Sequence, residues 1–171
     1  INPIRTGYAA IADEWIPIKP GTDGALFMAI IRELIALGLY DREFVARYTN
    51  GGQLVNQDES SDDFGMMMRN EAGEKINPLR HHNFYWWDRH TAKPVPDHAE
   101  GSDPSLFGSY NMPDGAMKGT PVKPAFALLE ERVRPCTPEW AEKITGIPAA
   151  TIRRLAHEMG VTARDEKIEL P

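Results

Sequence analysis

A chain of 171 residues with 42% hydrophobic and 26% charged residues has the make-up of one folded domain with room for an extension, which excludes wholesale disorder and leaves two full domains little space. The net charge of −6 opposes non-specific attraction to phosphate polymers and anionic lipid, so nucleic acid is not an expected partner. One cysteine, Cys136, excludes an internal disulfide framework and any cluster needing several thiolates from this chain, while leaving a periplasmic and a cytoplasmic location equally open.

The first residue is Ile1, followed at once by Asn-Pro, a turn signal that ordinarily comes after a strand. The chain is therefore expected to begin inside a longer protein, and the absence of a visible leader peptide carries no weight. Residues 2–12 read as a turn leading into a short helix of small residues, and residues 14–19 as a short strand with Trp15, Ile16 and Ile18 available for burial. Pro20-Gly21 breaks the chain. Thr22 or Asp23 can then cap a helix, because either side-chain oxygen can accept from the free amides of a first turn.

Residues 25–37 are apolar at nearly every position except Arg32 and Glu33, the pattern of a helix packed on most sides. The apolar run to residue 39 is interrupted and too short to span a bilayer. Gly38 is the expected stop. Asp41 can cap a second helix through Tyr48, with Phe44 and Val45 inward, which Asn50-Gly51-Gly52 would end. The order strand, loop, helix, helix suits an α/β domain.

Residues 57–124 differ in texture. An acidic, Ser-rich patch at residues 58–63 is followed by strand-like pieces at 65–69, 83–87 and 106–112, with turn residues at 71–73 and 113–115. This is expected to be a β-hairpin-rich insertion between an α/β segment at 1–56 and a helical segment at 125–171. In the latter, residues 124–133 form one predicted helix. Thr137-Pro138-Glu139 opens the next as N-cap, first helical position and first-turn acid, and Gly146 stops it. Pro148 restarts a third predicted helix, in which Ile152, Leu155, Ala156 and Met159 share one face and which Gly160 ends.

Four constellations carry possible chemistry. In Pro20-Gly21-Thr22-Asp23, glycine allows close backbone approach, the helix start offers free N–H groups, and Asp23 can accept two hydrogen bonds from a planar donor edge such as guanine's. The plain alternative is an N-cap. Asn2-Pro3-Ile4-Arg5-Thr6 is a polar turn placed where open α/β sheets bind nucleotides, with Arg5 available to a phosphate and Asn2 to a ribose or base; taken alone, a surface turn with a solvated arginine is the plainer reading.

His81, His82, Asp88, His90 and His98 lie in an aromatic setting of Phe84, Tyr85, Trp86 and Trp87. They suggest a metal-stabilised interaction module, although no histidine pair has helical metal-ligand spacing and the bland reading is aromatic anchoring with surface histidines. The two C-terminal helices with Thr151, Arg153, Arg154 and His157 are similar in outline to a DNA-reading helix-turn-helix, which the acidic balance opposes. No Ser-His-Asp arrangement or glycine-rich phosphate loop stands out and Cys136 has no activating neighbour, so no catalytic residue is expected in this chain, and on the bland reading of the histidines no metal ligand either.

Taken together, the ordered segments Asn2-Pro3-Ile4-Arg5-Thr6, Ala12-Asp13, Ile16-Pro17-Ile18-Lys19-Pro20-Gly21-Thr22-Asp23-Gly24, Leu39-Tyr40-Asp41, Tyr48-Thr49-Asn50-Gly51, Thr137-Pro138-Glu139-Trp140-Ala141 and Ile144-Thr145-Gly146-Ile147-Pro148 resemble molybdopterin oxidoreductases of the dimethyl-sulfoxide-reductase family. The resemblance covers both ends of the chain. It implies a fragment of a Rossmann-like molybdopterin-dinucleotide-binding domain, within a large catalytic chain that holds bis-molybdopterin guanine dinucleotide with molybdenum and a 4Fe-4S cluster.

By that resemblance Asp23 contacts guanine, Gly21 and Thr22 line the same pocket, and Asn2, Pro3 and Arg5 stand for the family's Asp-Pro-Arg turn. Asn2 replaces the usual Asp, keeping an oxygen and losing charge, and Ile4 replaces the usual first Arg. The metal ligand and the iron–sulfur cysteines come from elsewhere in such proteins, so this segment alone is expected to be inactive. The implied partners are the remainder of the catalytic subunit, a membrane anchor protein and an iron–sulfur electron-transfer subunit. The inserted length resembles members acting on sulfur oxyanions.

Overall fold

In a computed structural model of the chain, residues 1–70 and 83–165 are described. They form two compact units, one of residues 1–40 and 130–165, the other of residues 41–70 and 83–129. The composition-based boundaries at 57 and 124 fall inside the second unit, which also takes in the second helix and the first strand.

The first unit is built on helix α1 (Asp23–Ala36), which packs against α4 (Pro138–Thr145) and α5 (Ala149–Asp165). Leu26, Ala29 and Ile30 of α1 meet Ala141 of α4 and Ile152 and Ala156 of α5, with Ile16, Ile18 and Ile147 closing the same core. Each Ile or Leu so enclosed contributes about 1.5–3 kcal/mol relative to exposure, which is what orders three helices around so small a core. The apolar pattern of α1 predicts cover on most sides. Within this chain it buries one face, and Phe27 is 52% exposed.

Gly38 ends α1 as the sequence predicts. Its φ of +64° lets its N–H reach Ile35 O and lets Leu39 N–H reach Leu34 O, the paired bonds of a Schellman cap. Thr137 caps α4 by accepting from Trp140 N–H, and Pro138 sits in the first turn. Gly146, at φ +78°, closes α4 by donating to Glu142 O. Gly160, the predicted stop of α5, is instead a buried position inside that helix, which runs on to Asp165. No described helix is long and apolar enough to cross a membrane.

The predicted strand at 14–19 is extended but unassigned to any sheet. Burial alternates as a strand requires, with Ile16 and Ile18 inside and Pro17 and Lys19 outside. Its backbone partners, however, belong to two different segments: Asn2 N–H donates to Ile16 O, and Lys19 N–H donates to Thr145 O. Two single bonds to separate partners make no ladder. The small-residue helix expected near the start is one 3-10 turn, Gly7–Ala10.

The second unit begins with α2 (Arg42–Tyr48), capped by Asp41, whose side chain accepts from Phe44 N–H at 2.8 Å. Ala46 is its buried residue. Phe44, expected inward, is 55% exposed and stacks obliquely on Tyr48. A 3-10 turn, Asn50–Gly52, leads into β1 (Leu54–Asn56). β5 (Pro121–Pro124) lies between β1 and β4 (Tyr110–Asn111), antiparallel to both. β2 (Tyr85–Asp88) and β3 (Lys93–Pro96) form a separate antiparallel hairpin, and α3 (Ala125–Val133) follows β5 through the boundary between the units.

The core of this unit is Leu54, Met68, Met112 and Val122, flanked by Trp87 stacked on Tyr110 at 4.1 Å. The strand expected at 65–69 is reduced to isolated bridges of Met67 to Val55 and Arg69 to Phe84, and that at 106–112 to its last residues. The turn expected at 71–73 lies outside the described residues. All assigned strand pairs are antiparallel.

Candidate functional site

Both turns singled out in the sequence belong to the first unit and flank one extended segment. At the opening turn, the Asn2 backbone is tied to that segment twice, donating to Ile16 O at 3.1 Å and accepting from the Trp15 indole N–H at 3.0 Å. Its side-chain Oδ1 accepts the backbone N–H of Ile4 at 2.9 Å. That oxygen shapes the turn, as Asn does in Asx turns, and this is the role left to an Asn when the negative charge is absent. Pro3 and Arg5 are exposed, and Arg5 makes no ion pair or hydrogen bond among the described residues.

At the second turn, Gly21 has φ +75°, a left-handed conformation that a side chain would strain. An added Cβ would meet nothing within 4 Å at Gly21 or at Gly24, so the surface beside both is open. Thr22 occupies the N-cap position of α1 without capping it. Its hydroxyl turns back and donates to Lys19 O at 2.7 Å. The first-turn amides therefore receive no side-chain acceptor from the cap.

Asp23, the first residue of α1, is exposed and pairs with no described residue. A carboxylate in the first helical turn is favoured by the helix dipole without any partner. What results is an unengaged pair of acceptor oxygens beside open amides, facing solvent.

One contributor escaped sequence reasoning. Lys19 N–H bonds Thr145 O, and the Lys19 side-chain stem lies over Gly146, where an added Cβ would stand 3.5 Å from Cε. Nothing local at either position signals this, because the two lie far apart in the chain. A shallow cleft lined by Arg32, Ile35, Ala36, Glu130, Val133 and Arg134 lies near the other end of α1 and holds none of the expected site residues.

The competing constellations fare differently. His81 and His82 lie outside the described residues. Among the described residues no group of three or more His, Cys, Asp or Glu is placed to hold a metal ion. His90 and His98 are exposed, the latter tilted against the buried Trp86. Asp88 is buried, its oxygens taken by Asp103, Thr91 and His90.

In the α4–α5 hairpin Arg153 pairs with Glu139, and Arg154 pairs with Glu14 and Glu158. The cations that a DNA-reading hairpin would turn to phosphate are thus matched by carboxylates, and that reading is set aside. Cys136 is buried with its Sγ 4.0 Å from Arg132 O.

No family model matches the chain. It is 58% identical to a sulfite dehydrogenase subunit of Allochromatium vinosum, over all of this chain and 17% of that protein. It is 30% identical to the alpha subunit of perchlorate reductase from Dechloromonas aromatica, over 92% of this chain and 20% of that one. With the dimethyl sulfoxide reductase of Haemophilus influenzae it shares 32% identity, over 88% of this chain and 12% of the relative. The chain spans a fifth or less of each. Relatives of three named activities match over most of its length, and the chain belongs to the dimethyl-sulfoxide-reductase family of molybdopterin oxidoreductases.

Proposed function

We propose that this chain is the guanine-nucleotide-binding segment of the catalytic subunit of a molybdenum-dependent oxidoreductase, and that the whole enzyme acts on a sulfur oxyanion. The observation that carries the nucleotide reading is the state of Asp23: exposed, unpaired among the described residues, and set at a helix start whose cap hydroxyl is turned away. A guanine edge presents adjacent N–H donors, and a carboxylate with both oxygens free is their natural acceptor. Open space beside Gly21 and Gly24 leaves room for a base to approach. These residues thus fit the nucleotide end of molybdopterin guanine dinucleotide, with Gly21 and Thr22 shaping the turn and with Asn2, Pro3 and Arg5 presented along the same extended segment.

When bound, the molybdenum cofactor supplies two-electron redox chemistry, and this chain's part is to hold and orient the nucleotide. The succession of extended segment, glycine turn and helix supports a Rossmann-like nucleotide-binding domain completed by other parts of the protein. The sulfur-oxyanion reading is supported by the 58% identity to a protein named as part of a sulfite dehydrogenase. The relatives' designation as subunits favours further chains in the assembly; that one of them is an iron–sulfur electron-transfer subunit, and that the catalytic subunit holds a 4Fe-4S cluster, rests on the family resemblance alone.

The test is the guanine content of the intact catalytic subunit. GMP released by acid, and molybdenum per polypeptide, are expected to fall together in Asp23→Ala. Full retention of both would overturn the reading.

A further inference from the structure

The segment Ile144-Thr145-Gly146-Ile147-Pro148 is part of the sequence that resembles the family, yet it holds none of the expected ligand residues. Its place in the fold gives it a task. Lys19, the last residue before the Pro20-Gly21 break, has both backbone groups engaged. Its N–H donates to Thr145 O at 3.0 Å, and its carbonyl accepts from Thr22 Oγ1 at 2.7 Å and from Thr22 N–H at 3.3 Å.

Thr145 O is one of the last carbonyls of α4, which have no partner within the helix, so the bond from Lys19 satisfies a group that would otherwise need water. Thr145 is itself held from within. It is 1% exposed, its Oγ1 donates to Ala141 O at 2.8 Å, and the same oxygen accepts from Ile147 N–H at 3.1 Å. Gly146, left-handed at φ +78°, turns the chain tightly beneath the Lys19 stem. A chain of bonded groups therefore runs from the buried Thr145 hydroxyl through Lys19 and Thr22 to the start of α1.

We infer that the α4–α5 turn, through Thr145 and Gly146, is a positioning element for the nucleotide turn, setting the angle at which Asp23 meets a guanine edge. The inference rests on the nucleotide reading of Asp23. Recognition by paired hydrogen bonds is geometrically demanding, since donor–acceptor distances must stay within a few tenths of an ångström of about 2.9 Å. Stacking or apolar contact tolerates more displacement. A shifted Asp23 should thus lose preference for guanine before it loses nucleotide affinity in general.

The experiment compares GMP and AMP binding by calorimetry on the intact catalytic subunit freed of its own cofactor. Thr145→Val keeps the side-chain volume and removes the hydroxyl, and Thr145→Ser restores it. Thr145→Val is expected to weaken GMP roughly tenfold while leaving AMP unchanged, and Thr145→Ser to stay within about twofold of the parent. Asp23→Ala should equalise the two nucleotides.

Should Thr145→Val weaken both nucleotides alike, or neither, while Asp23→Ala abolishes the preference, the positioning role is refuted and the nucleotide reading stands. If Asp23→Ala leaves the preference intact, the nucleotide reading itself fails. Where Thr145→Val does not fold, Gly146→Ala carries the same comparison, because its Cβ meets Lys19 only at ordinary contact distance while its left-handed backbone strains the turn.

Discussion

The carboxylate of Asp88, at the end of β2, accepts the backbone N–H of Asp103 at 2.8 Å. The same side chain takes Thr91 Oγ1 at 2.7 Å, Thr91 N–H at 3.0 Å and His90 N–H at 3.3 Å, so one buried group closes the β2–β3 turn and pins the following loop. Burial pushes the Asp88 carboxyl up, but the hydrogen bonds from Asp103, Thr91 and His90 outweigh it and hold the group down to about 2, against an ordinary 3.8.

A depressed carboxylate stabilises the fold above its unfolded value and loses that contribution as pH falls through the folded one. The second unit is therefore expected to lose about 2 kcal/mol between pH near 4 and pH near 2 on account of Asp88. Urea midpoints measured across that window should slope steeply for the parent and less so for Asp88→Asn, which is already weakened at neutral pH. Parallel slopes would exclude Asp88 as the source.

Two glycines of the first unit should respond to alanine with opposite sign. At Gly160, in α5, an added Cβ would lie 2.6 Å from Leu39 Cβ and 2.9 Å from Leu34 Cδ2, so the helix and the segment after α1 must part. Overpacking of this kind costs about 1–3 kcal/mol, more than the roughly 0.5–1 kcal/mol that alanine gains over glycine in a helix. Gly24, in the first turn of α1, has nothing within 4 Å. Thermal unfolding should place Gly160→Ala below the parent and Gly24→Ala at or above it.

Helix caps separate in the same way. Thr137→Ala removes the acceptor of Trp140 N–H and should cost about 1 kcal/mol, as N-cap truncations do. Thr22→Ala leaves α1 without any loss of capping, because the Thr22 hydroxyl bonds Lys19 O instead. Its effect should appear in guanine binding rather than in helix stability. Far-ultraviolet circular dichroism during unfolding, read beside GMP binding, distinguishes the two.

Trp86 is 2% exposed in β2, and its indole Nε1 has no hydrogen-bond partner among the described residues. A buried donor left unpaired costs about 1–3 kcal/mol, so Trp86→Phe, which removes the donor and keeps most of the ring, should cost far less than the roughly 3–5 kcal/mol of a truncation to alanine. Denaturant unfolding of both variants checks this, and a Phe variant as weak as the Ala variant would contradict it.

What sequence alone determined was local. The left-handed glycine at 38, the caps at Asp41 and Thr137, the helix that follows the Pro20-Gly21 break and the hairpin of the C-terminal helices follow from short-range sterics and hydrogen bonding. The family could be read because several such local signals recur in order, and with it came the proposal that Asp23 meets guanine. Tertiary structure decided the rest. Residues 14–19 have the alternation of a strand but no adjacent ladder, because pairing depends on what the rest of the chain offers, and here it offers Asn2 on one side and Thr145 on the other.

Phe44 has the apolarity of a core residue, yet the face of α2 that is covered belongs to Ala46. Periodicity identifies an apolar face, and only the packed neighbours determine which part of it is enclosed. The bond from Lys19 to Thr145 belongs to the same class: two backbone groups, with no side-chain signature, made partners by the way α1, α4 and α5 enclose one core.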